Sequence, residues 1–504
     1  MAQRFVSLNL QDTVFPMLSE QQGRTVLIAG DSVPNKNLQV GVTYCHNVMP
    51  TDYGMNSVGY LPVIPAFASI PAGLELTDVK EIFGDTRTRL YLAWDAEGNV
   101  YALLKGSLVW IAIPATTPAT GGTGFDINSV TTGTVNGITY IAYSTVAVFT
   151  YDEGANALVQ ATLTGLSMAA VLGVTSSSGY LIAYTNEALA WSSTILPTDF
   201  VPSQVTGSGG GNIADIQGDI IFCTSNSLGI LIYSAANAVA GVYSGNVQYP
   251  FKLREVPNSK GGISLDLTAH EANSSQQFIF SKAGLQSLTS QAATVLLPSV
   301  TDFLAGKRFE DFNETTKQYV VTDLAAGATM LKKVKYVASR YLVVSYGLTS
   351  FTHVLVWDTA LQKAGKLRID HTDVFEYIGA QSEVSKESMA FLLPTGEVKV
   401  LDFSVTAESK GVLILGKLQY SFTRMINLLG LEVENVQSAS DLEVTAQVSL
   451  NGKTFVNVEG FLDVNAPELR EFKFKDIGKN VSLVFIGKFD FVSAIVTYAL
   501  AGRR

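Results

Sequence analysis

The residue types that most often carry chemistry are few and scattered in this 504-residue chain. Its two cysteines, Cys45 and Cys223, form no CxxC pair, and only Cys45 has a histidine beside it, His46. The other three histidines lie far apart in the sequence. This spacing predicts neither a zinc ribbon nor a disulfide framework. A metal site at Cys45 and His46 is the alternative, but the pattern favours buried, inert side chains.

Short catalytic motifs are missing as well. The sequence has no GxxxxGK[ST] loop, no GxSxG elbow, no HExxH pair and no acidic calcium loop. Residues 206–212, TGSGGGN, are glycine-rich but lack a following Lys-Ser or Lys-Thr pair. Residues 449–455 are similar to the Asp-box of sialidase propellers, but they are one residue short and we interpret them as a hairpin turn. We therefore predict no enzyme, and no catalytic, cofactor-binding or metal-binding residues.

The composition limits the classes of partner that this chain can bind. Hydrophobic residues make up 47% of the chain and charged residues 15%, with a net charge of −10. A thinly charged surface favours association with other subunits. An acidic chain lacks the basic footprint of a nucleic-acid binder, although it could line a conduit through which DNA slides. The N-terminus alternates and has no apolar signal region, and no run of 18 apolar residues occurs, so we expect no membrane insertion by this chain.

Hairpin signals dominate the middle of the chain. Residues 90–104, 277–289 and 389–403 each contain an apolar strand, a turn with a glycine, and a second alternating strand. The glycines, Gly98, Gly284 and Gly396, supply the positive φ that a tight turn needs. Looser hairpins between them give a spacing of roughly 40–60 residues, which is typical of propeller blades.

The fold class predicted from this pattern is all-β. We expect a β-propeller of six or seven blades over residues 63–417, preceded by an extended N-terminal arm with platform strands over 1–62. Residues 418–504 alternate strictly around the turn Asn451-Gly452 and predict a C-terminal β-sandwich or platform domain. Unrelated hairpins in sandwiches are the alternative to a propeller.

Three segments depart from the hairpin pattern. Residues 299–312 are the best helix candidate, with cap-like Ser299 and Thr301. Residues 114–137 and the glycine-rich residues 206–212 are predicted to be loops. The period-2 strands of the arm are expected to pair with the C-terminal platform or with a neighbouring subunit.

Residues 190–262 carry a resemblance to a known family. A Trp-Ser strand end is followed by a P-T-D-F-x-P turn, a glycine-rich stretch and a strand pair. The residues that carry this motif are Trp191, Pro197, Asp199, Phe200, Pro202 and Gly209. Asp199 is suited to an Asx turn, and Phe200 to a core position between blades. This segment, and the layout of arm, propeller and platform, resemble the tail hub or nozzle (tail tubular-type) structural proteins of short-tailed bacteriophages.

The resemblance implies a structural part of the virion tail that forms part of the DNA-ejection channel. It implies a homo-oligomer of six copies and contacts with tail adaptor or head–tail connector proteins and with tail fibres or a needle. Double-stranded DNA would pass transiently through the lumen, and assembly would occur in the host bacterial cytoplasm. The alternatives are a receptor- or glycan-binding propeller of the virion and, with less support, a polysaccharide hydrolase.

Overall fold

The chain folds almost entirely into β-strands. The computed structural model describes residues 4–14, 26–27, 38–51, 54–65, 75–114, 130–247, 249–270, 274–281, 283–296, 308–313, 315–325, 329–378, 389–403, 410–415, 418–419, 425–435, 442–449, 456–459, 461–462, 471–478 and 480–501. Helix in these residues is confined to the 3-10 turns Met168–Ala170 and Leu265–Leu267. None of the described helices is long and apolar enough to cross a membrane. The all-β prediction is confirmed.

Six strands form the N-terminal part of the described chain. They are β1 (Arg4–Val14), β2 (Val26–Leu27), β3 (Leu38–His46), β4 (Val48–Pro50), β5 (Met55–Ser57) and β6 (Gly59–Ile64). β4 and β5 form a hairpin in which Val48 pairs with Ser57. Most of these strands find their partners far away in the sequence, as the later pairings show.

Five four-stranded antiparallel sheets follow, each made of consecutive strands. In chain order the strands are β7 (Thr77–Phe83), β8 (Arg89–Trp94), β9 (Val100–Leu103), β10 (Ile111–Ala112), β11 (Val130–Val135), β12 (Ile138–Tyr143), β13 (Ala147–Asp152), β14 (Ala157–Ala161), β15 (Gly173–Ser177), β16 (Tyr180–Tyr184), β17 (Ala188–Trp191), β18 (Gly209–Asn212), β19 (Ile220–Asn226), β20 (Gly229–Ser234), β21 (Ala238–Tyr243), β22 (Phe251–Glu255), β23 (Thr268–Ala269), β24 (Gln277–Ser281), β25 (Gly284–Leu288) and β26 (Ala293–Val295). The second strand of each sheet is buried along most of its length.

A hairpin and two more groups of four strands complete the repeated part; the second of these groups takes its fourth strand, β6, from the N-terminal part of the chain. The strands are β27 (Arg308–Asn313), β28 (Gln318–Asp323), β29 (Leu331–Val337), β30 (Tyr341–Gly347), β31 (Phe351–Asp358), β32 (Lys363–His371), β33 (Asp373–Glu376), β34 (Met389–Leu392) and β35 (Val398–Asp402). β27 and β28 are a separate hairpin, and β29 to β32 form an antiparallel meander. β33, β34 and β35 take β6 as their fourth strand, in which Tyr60 pairs with Leu401.

The four-stranded groups pack face to face in a closed ring. We number them sheets 1 to 7 from their first strands, β7, β11, β15, β19, β23, β29 and β33. One buried apolar cluster joins sheets 1 and 2, a second sheets 2 and 3, and a third sheets 3, 4 and 5. Three more clusters join sheets 5 and 6, 6 and 7, and finally 7 and 1. Antiparallel four-stranded sheets packed radially in this way form a β-propeller.

The C-terminal strands pair with the N-terminal ones. They are β36 (Gly411–Leu415), β37 (Leu418–Gln419), β38 (Met425–Asn435), β39 (Glu443–Ser449), β40 (Val456–Glu459), β41 (Phe461–Leu462), β42 (Glu471–Gly478), β43 (Asn480–Gly487) and β44 (Asp490–Ala501). β1 runs antiparallel to β44, with Leu8 opposite Ala494, so the predicted pairing of the arm with the C-terminal strands is confirmed. β36 pairs with both β3 and β43.

These pairings cross the domain limits expected from the sequence. The limit between residues 62 and 63 falls inside β6, which belongs to sheet 7. The limit between residues 417 and 418 separates β36 from its partner β43. The turn Asn451-Gly452 lies outside the described residues, although the strands on its two sides, β39 and β40, do pair antiparallel.

Three expectations about non-strand segments were wrong in part. Residues 308–312 of the predicted helix are part of strand β27, because Phe309 and Glu310 pair across to Thr322 and Val321 of β28. The rest of that prediction, residues 299–307, lies outside the described residues. In the first predicted loop, residues 130–135 form β11 and residues 115–129 lie outside the described residues. In the second predicted loop, residues 209–212 form β18. In each case pairing with a neighbouring strand outweighs weak local propensity.

A candidate interaction surface on sheets 3 and 4

The six motif residues surround the connection between β17 and β18 of sheet 3. Trp191 is the last residue of β17, and it pairs with Gly209, the first residue of β18. Pro197 is buried inside the connection and Pro202 is exposed on it. The chain therefore brings the predicted motif together at one edge of one sheet.

Asp199 fixes the course of this connection. Its Oδ1 accepts hydrogen bonds from the Val201 N–H at 3.1 Å and from the Thr164 hydroxyl at 3.1 Å. The first bond is the Asx turn expected from the sequence. The N–H of Phe200 donates to the Thr164 carbonyl at 2.9 Å, so backbone bonds also tie the connection to residues between sheets 2 and 3.

Phe200 fills the space between sheets 2 and 3. Its side chain is 2% exposed and belongs to the cluster that contains Val148 of sheet 2 and Leu181 of sheet 3. Full burial of a phenylalanine contributes about 1.5–3 kcal/mol by transfer alone. The expected core position between blades is confirmed, and it anchors an otherwise exposed segment to the ring.

Trp191 explains the glycine at position 209. A Cβ atom placed on Gly209 would lie 3.3 Å from the Trp191 ring, closer than most side chains allow. The Trp191 ring in turn lies 6.4 Å from Phe251 of sheet 4, in an edge-on arrangement. Phe251 is 6.1 Å from Tyr180 and 6.2 Å from Tyr243, so four aromatic rings join sheets 3 and 4 below the connection.

Exposed apolar side chains lie on the β17–β18 connection, at the end of β21 and just after it, and we call them the apolar patch. Its members are Ile195, Leu196, Val201, Val205, Tyr243, Val247 and Tyr249. Val205 is 90% exposed, Ile195 75% and Tyr249 64%. Its two segments touch, since a Cβ on Gly207 would lie 2.8 Å from Val247 Cγ1. Grouped apolar exposure of this kind marks interaction surfaces more often than chance placement does.

The connection that carries most of the patch is well ordered by its own hydrogen bonds. The Ser193 N–H donates to the Asp199 carbonyl at 2.7 Å, and the Gly207 N–H donates to the Ser203 carbonyl at 2.9 Å. Gly207 has a φ of 74°, which few other residues adopt. The apolar side chains are therefore presented by a fixed backbone. Sequence reasoning missed this patch, although four aliphatic residues in a proline-rich turn were a usable signal.

The cysteine–histidine neighbours are packed into the interior. Burial raises the pKa of the Cys45 thiol to about 12 and lowers the pKa of His46 to about 3. The His46 ring lies 5.7 Å from Phe312 of the β27–β28 hairpin. Among the described residues no group of three or more His, Cys, Asp or Glu side chains could hold a metal ion.

Comparison with known proteins returns only distant structural matches. No protein-family model matches the sequence, and no curated protein matches it. Among solved structures, the WD40 β-propeller domain of Doa1 is similar at 10% identity over 70% of this chain and 100% of that one, with a TM-score of 0.37. The extracellular domain of the one-component system BT4673 from B. thetaiotaomicron is 9% identical over 93% of this chain and 64% of that one, with a TM-score of 0.40. U3-55K is 7% identical over 67% of this chain and 100% of that one, with a TM-score of 0.39. At TM-scores this low the fold assignment rests on the strand pairing described above.

Proposed function

We propose that this chain is a non-catalytic structural subunit of a bacteriophage virion tail, located in the hub or nozzle. In this proposal sheets 1 to 7 are the seven blades of the propeller, and the strands from β36 onward form a C-terminal β-sandwich with β1 and β3. The observation that carries the proposal is the apolar patch. The resemblance of residues 190–262 to tail proteins, in the segment that also carries the patch, supports it.

The proposed occupant of the apolar patch is a second copy of this chain. Only 15% of the residues are charged, which is low for a protein surface that stays fully in water. Tyr249, a patch residue, is of an aromatic type that is enriched at protein interfaces. A fixed backbone lowers the entropy cost of docking the patch residues.

The remaining partners follow from the same proposal. A ring of six copies would continue the tail channel, with adaptor or connector proteins on one side and fibres or a needle on the other. Double-stranded DNA would move through the lumen of the ring during ejection. The net charge of −10 supports free passage, because an acidic wall forms few attractive contacts with phosphates.

The test is the mass of the purified chain by light scattering over a concentration series, followed by electron microscopy of any oligomer. We expect a ring with an open centre. The paired substitution Val205→Asp with Tyr249→Asp places two carboxylates in the apolar patch and should shift the mass toward the monomer.

A matched control is Val159→Asp on β14, where the valine is 46% exposed but lies outside the patch. This variant should assemble like the parent chain. A chain that is monomeric at every concentration, or a patch variant that assembles as well as the control, would contradict the proposed contact.

A glycan-binding propeller is the second candidate. The observation in its favour is the exposure of two tyrosines in the patch, Tyr243 at 42% and Tyr249 at 64%. Exposed aromatic faces can stack on other ring-shaped groups. Saturable binding on a glycan array that is lost in Tyr249→Ala would favour this candidate over the assembly contact.

A further inference from the structure

Sheet 1 carries a second group of exposed apolar side chains, which we call the counter-surface. Its members are Leu108, Val109 and Ile111, with exposed fractions of 59%, 50% and 38%. Leu108 and Val109 lie in the connection between β9 and β10, and Ile111 is the first residue of β10. Within the described part of the chain, no stretch outside the apolar patch places three large apolar side chains this exposed within four residues.

The counter-surface is held on a fixed backbone. Trp110 is 2% exposed, and its indole N–H donates to the Gly396 carbonyl of sheet 7 at 3.1 Å. The Ser107 hydroxyl donates to the Val109 carbonyl at 2.9 Å and accepts the Val109 N–H at 3.1 Å. A buried aromatic side chain therefore anchors this turn, as Phe200 anchors the β17–β18 connection. Both surfaces are ordered before any contact forms, which lowers the entropy cost of docking.

The apolar patch and the counter-surface occupy equivalent positions in their sheets. The first strands of sheets 1 to 6 line one central cavity, so the fourth strands lie at the rim of the ring. The patch lies on or beside the connections from the third to the fourth strand of sheets 3 and 4, and the counter-surface on the same connection of sheet 1. Because each sheet repeats one up-and-down order from the centre outward, these connections lie on one face of the ring.

A closed ring of identical chains needs two different contact surfaces on every chain. A surface that meets its own copy pairs two chains about a twofold axis, whereas a head-to-tail contact between unlike surfaces continues around a ring. Seven sheets around one axis are about 51° apart, which places sheet 1 about 130° from the boundary of sheets 3 and 4. Each member of a six-membered ring faces its two neighbours at about 120°. The two surfaces are therefore spaced as such a ring requires.

Charge and strand geometry also favour this pairing. The β9–β10 connection contains one charged residue, the exposed Lys105, and the β17–β18 connection contains one of opposite sign, Asp199. Val320 and Val321 of β28 are another adjacent pair of exposed apolar residues. They are neighbours in a strand and face opposite sides of it, so they do not form one surface.

We propose that, in the ring of the proposed function, the apolar patch of one copy packs against Leu108, Val109 and Ile111 of the next copy. This inference depends on that proposed function and adds the receiving surface to it. The contact is head-to-tail, so every chain offers the patch to one neighbour and the counter-surface to the other.

Cysteine cross-linking of the assembled chain tests the contact. Leu108→Cys with Val205→Cys in one chain, treated with a short bis-maleimide linker, should give covalent multimers up to the full ring on a denaturing gel. Either substitution alone should give none, because the linker then finds a thiol on only one side of the contact. Cys45 and Cys223 are buried, so the parent chain serves as the blank.

The matched control is Val205→Cys with Val321→Cys, in which the second thiol lies on β28, at a valine that is 38% exposed. This variant should give no covalent multimers. Multimers from it would place the receiving surface on the β27–β28 hairpin and overturn the proposal. Covalent dimers from Val205→Cys alone would show that patch meets patch, and would overturn it as well.

Light scattering of the same samples separates this inference from the proposed function. A parent chain that is monomeric at every concentration removes the ring, and the contact with it. A Leu108→Cys, Val205→Cys variant that assembles but gives no covalent multimers overturns the head-to-tail contact alone.

Charged variants give a second test that does not depend on cross-linking. Leu108→Asp with Val109→Asp should be monomeric, as should Val205→Asp with Tyr249→Asp. An equimolar mixture of the two variants should reach twice the mass of one chain, because each keeps one intact surface. The proposal is overturned if the first variant assembles like the parent chain, or if the mixture stays monomeric.

Discussion

Asp78→Asn is the substitution that most directly tests the ionic cluster at the centre of the ring. Asp78 is 4% exposed and contacts the ammonium groups of Lys80 and Lys333. Its backbone has a φ of 49°, a left-handed conformation that asparagine tolerates nearly as well as aspartate. The substitution therefore removes the charge while keeping the shape and the local backbone.

The expected loss of stability is large. Removing one partner of a buried ion pair costs about 3–5 kcal/mol, because the remaining charge stays buried without compensation. Here Lys80 would lose its carboxylate partner and Asp373 would face the ammonium groups of Lys333 and Lys335, while the retained amide dipole offsets only part of the loss. We therefore expect the free energy of unfolding to fall by about 3 kcal/mol at neutral pH.

The same residue predicts how stability depends on pH. Burial alone would raise the pKa of Asp78, but attraction to Lys80, Lys333 and Lys335 outweighs it and holds the pKa well below its usual value. A carboxyl with a depressed folded-state pKa stabilises the fold above its unfolded pKa, about 3.9, and loses this contribution as the pH falls further. The parent chain should therefore lose more stability below about pH 4 than Asp78→Asn does.

Urea denaturation followed by tryptophan fluorescence, at pH 7 and at pH 3.5, measures both effects. The control is Asp370→Asn. Asp370 lies on β32, just before the strand β33 that carries Asp373, and its carboxylate is exposed. It should change the free energy of unfolding by less than about 0.5 kcal/mol. A loss under about 1 kcal/mol for Asp78→Asn at pH 7 would refute the reasoning, since the cluster would then be solvated.

Three other perturbations have definite outcomes. Phe200→Ala should lower the free energy of unfolding by about 3–5 kcal/mol in urea titrations, whereas the exposed Pro202→Ala should cost less than about 1 kcal/mol; similar losses would contradict the core position. Cys45 and Cys223 should react with a thiol reagent only after unfolding, because burial raises both thiol pKa values; rapid native reaction would contradict this. Deleting residues 1–14 removes β1 from β44 and should lower the unfolding midpoint; an unchanged midpoint would show that the pairing contributes nothing.

Local turn chemistry is what the sequence predicts best. Gly98, Gly284 and Gly396 were expected to have positive φ, and they have values of 85°, 99° and 78°. Gly98 and Gly396 sit between the second and third strands of their sheets, and Gly284 is the first residue of the third strand. A tight turn depends on a few neighbouring residues, so its signal is complete within the local sequence.

Long-range pairing is what the sequence could not supply. Phe309 fits a helical spacing with Phe303 and Leu304, yet it lies in β27 because β28 is available as a partner. The membership of β6 in sheet 7 depends on a strand more than 300 residues away. Pro62 cannot donate a ladder hydrogen bond, and β6 is the outer strand of its sheet, where such a residue is tolerated.

The axial cluster shows the same limit for charged residues. Asp78, Lys333 and Asp373 lie on three strands from distant parts of the sequence, and no local pattern marks them as partners. Only closure of the ring brings them within contact distance. The exposed aliphatic residues of the 193–208 connection, by contrast, were visible in the sequence, but their exposure depends on how Phe200 and Asp199 hold the turn.

The pairing of Gly59 with Asp402 that closes sheet 7 also sets an order for biosynthesis. About 340 residues separate the two strands, so at roughly 5–20 residues per second the ribosome needs on the order of 20–70 seconds between making the first and the second. During this interval β6 has no partner, and sheets 1 to 6 can form only an open arc with exposed apolar faces at its ends. A nascent chain that stops before residue 402 cannot complete the ring, which makes it a ready substrate for chaperones and proteases.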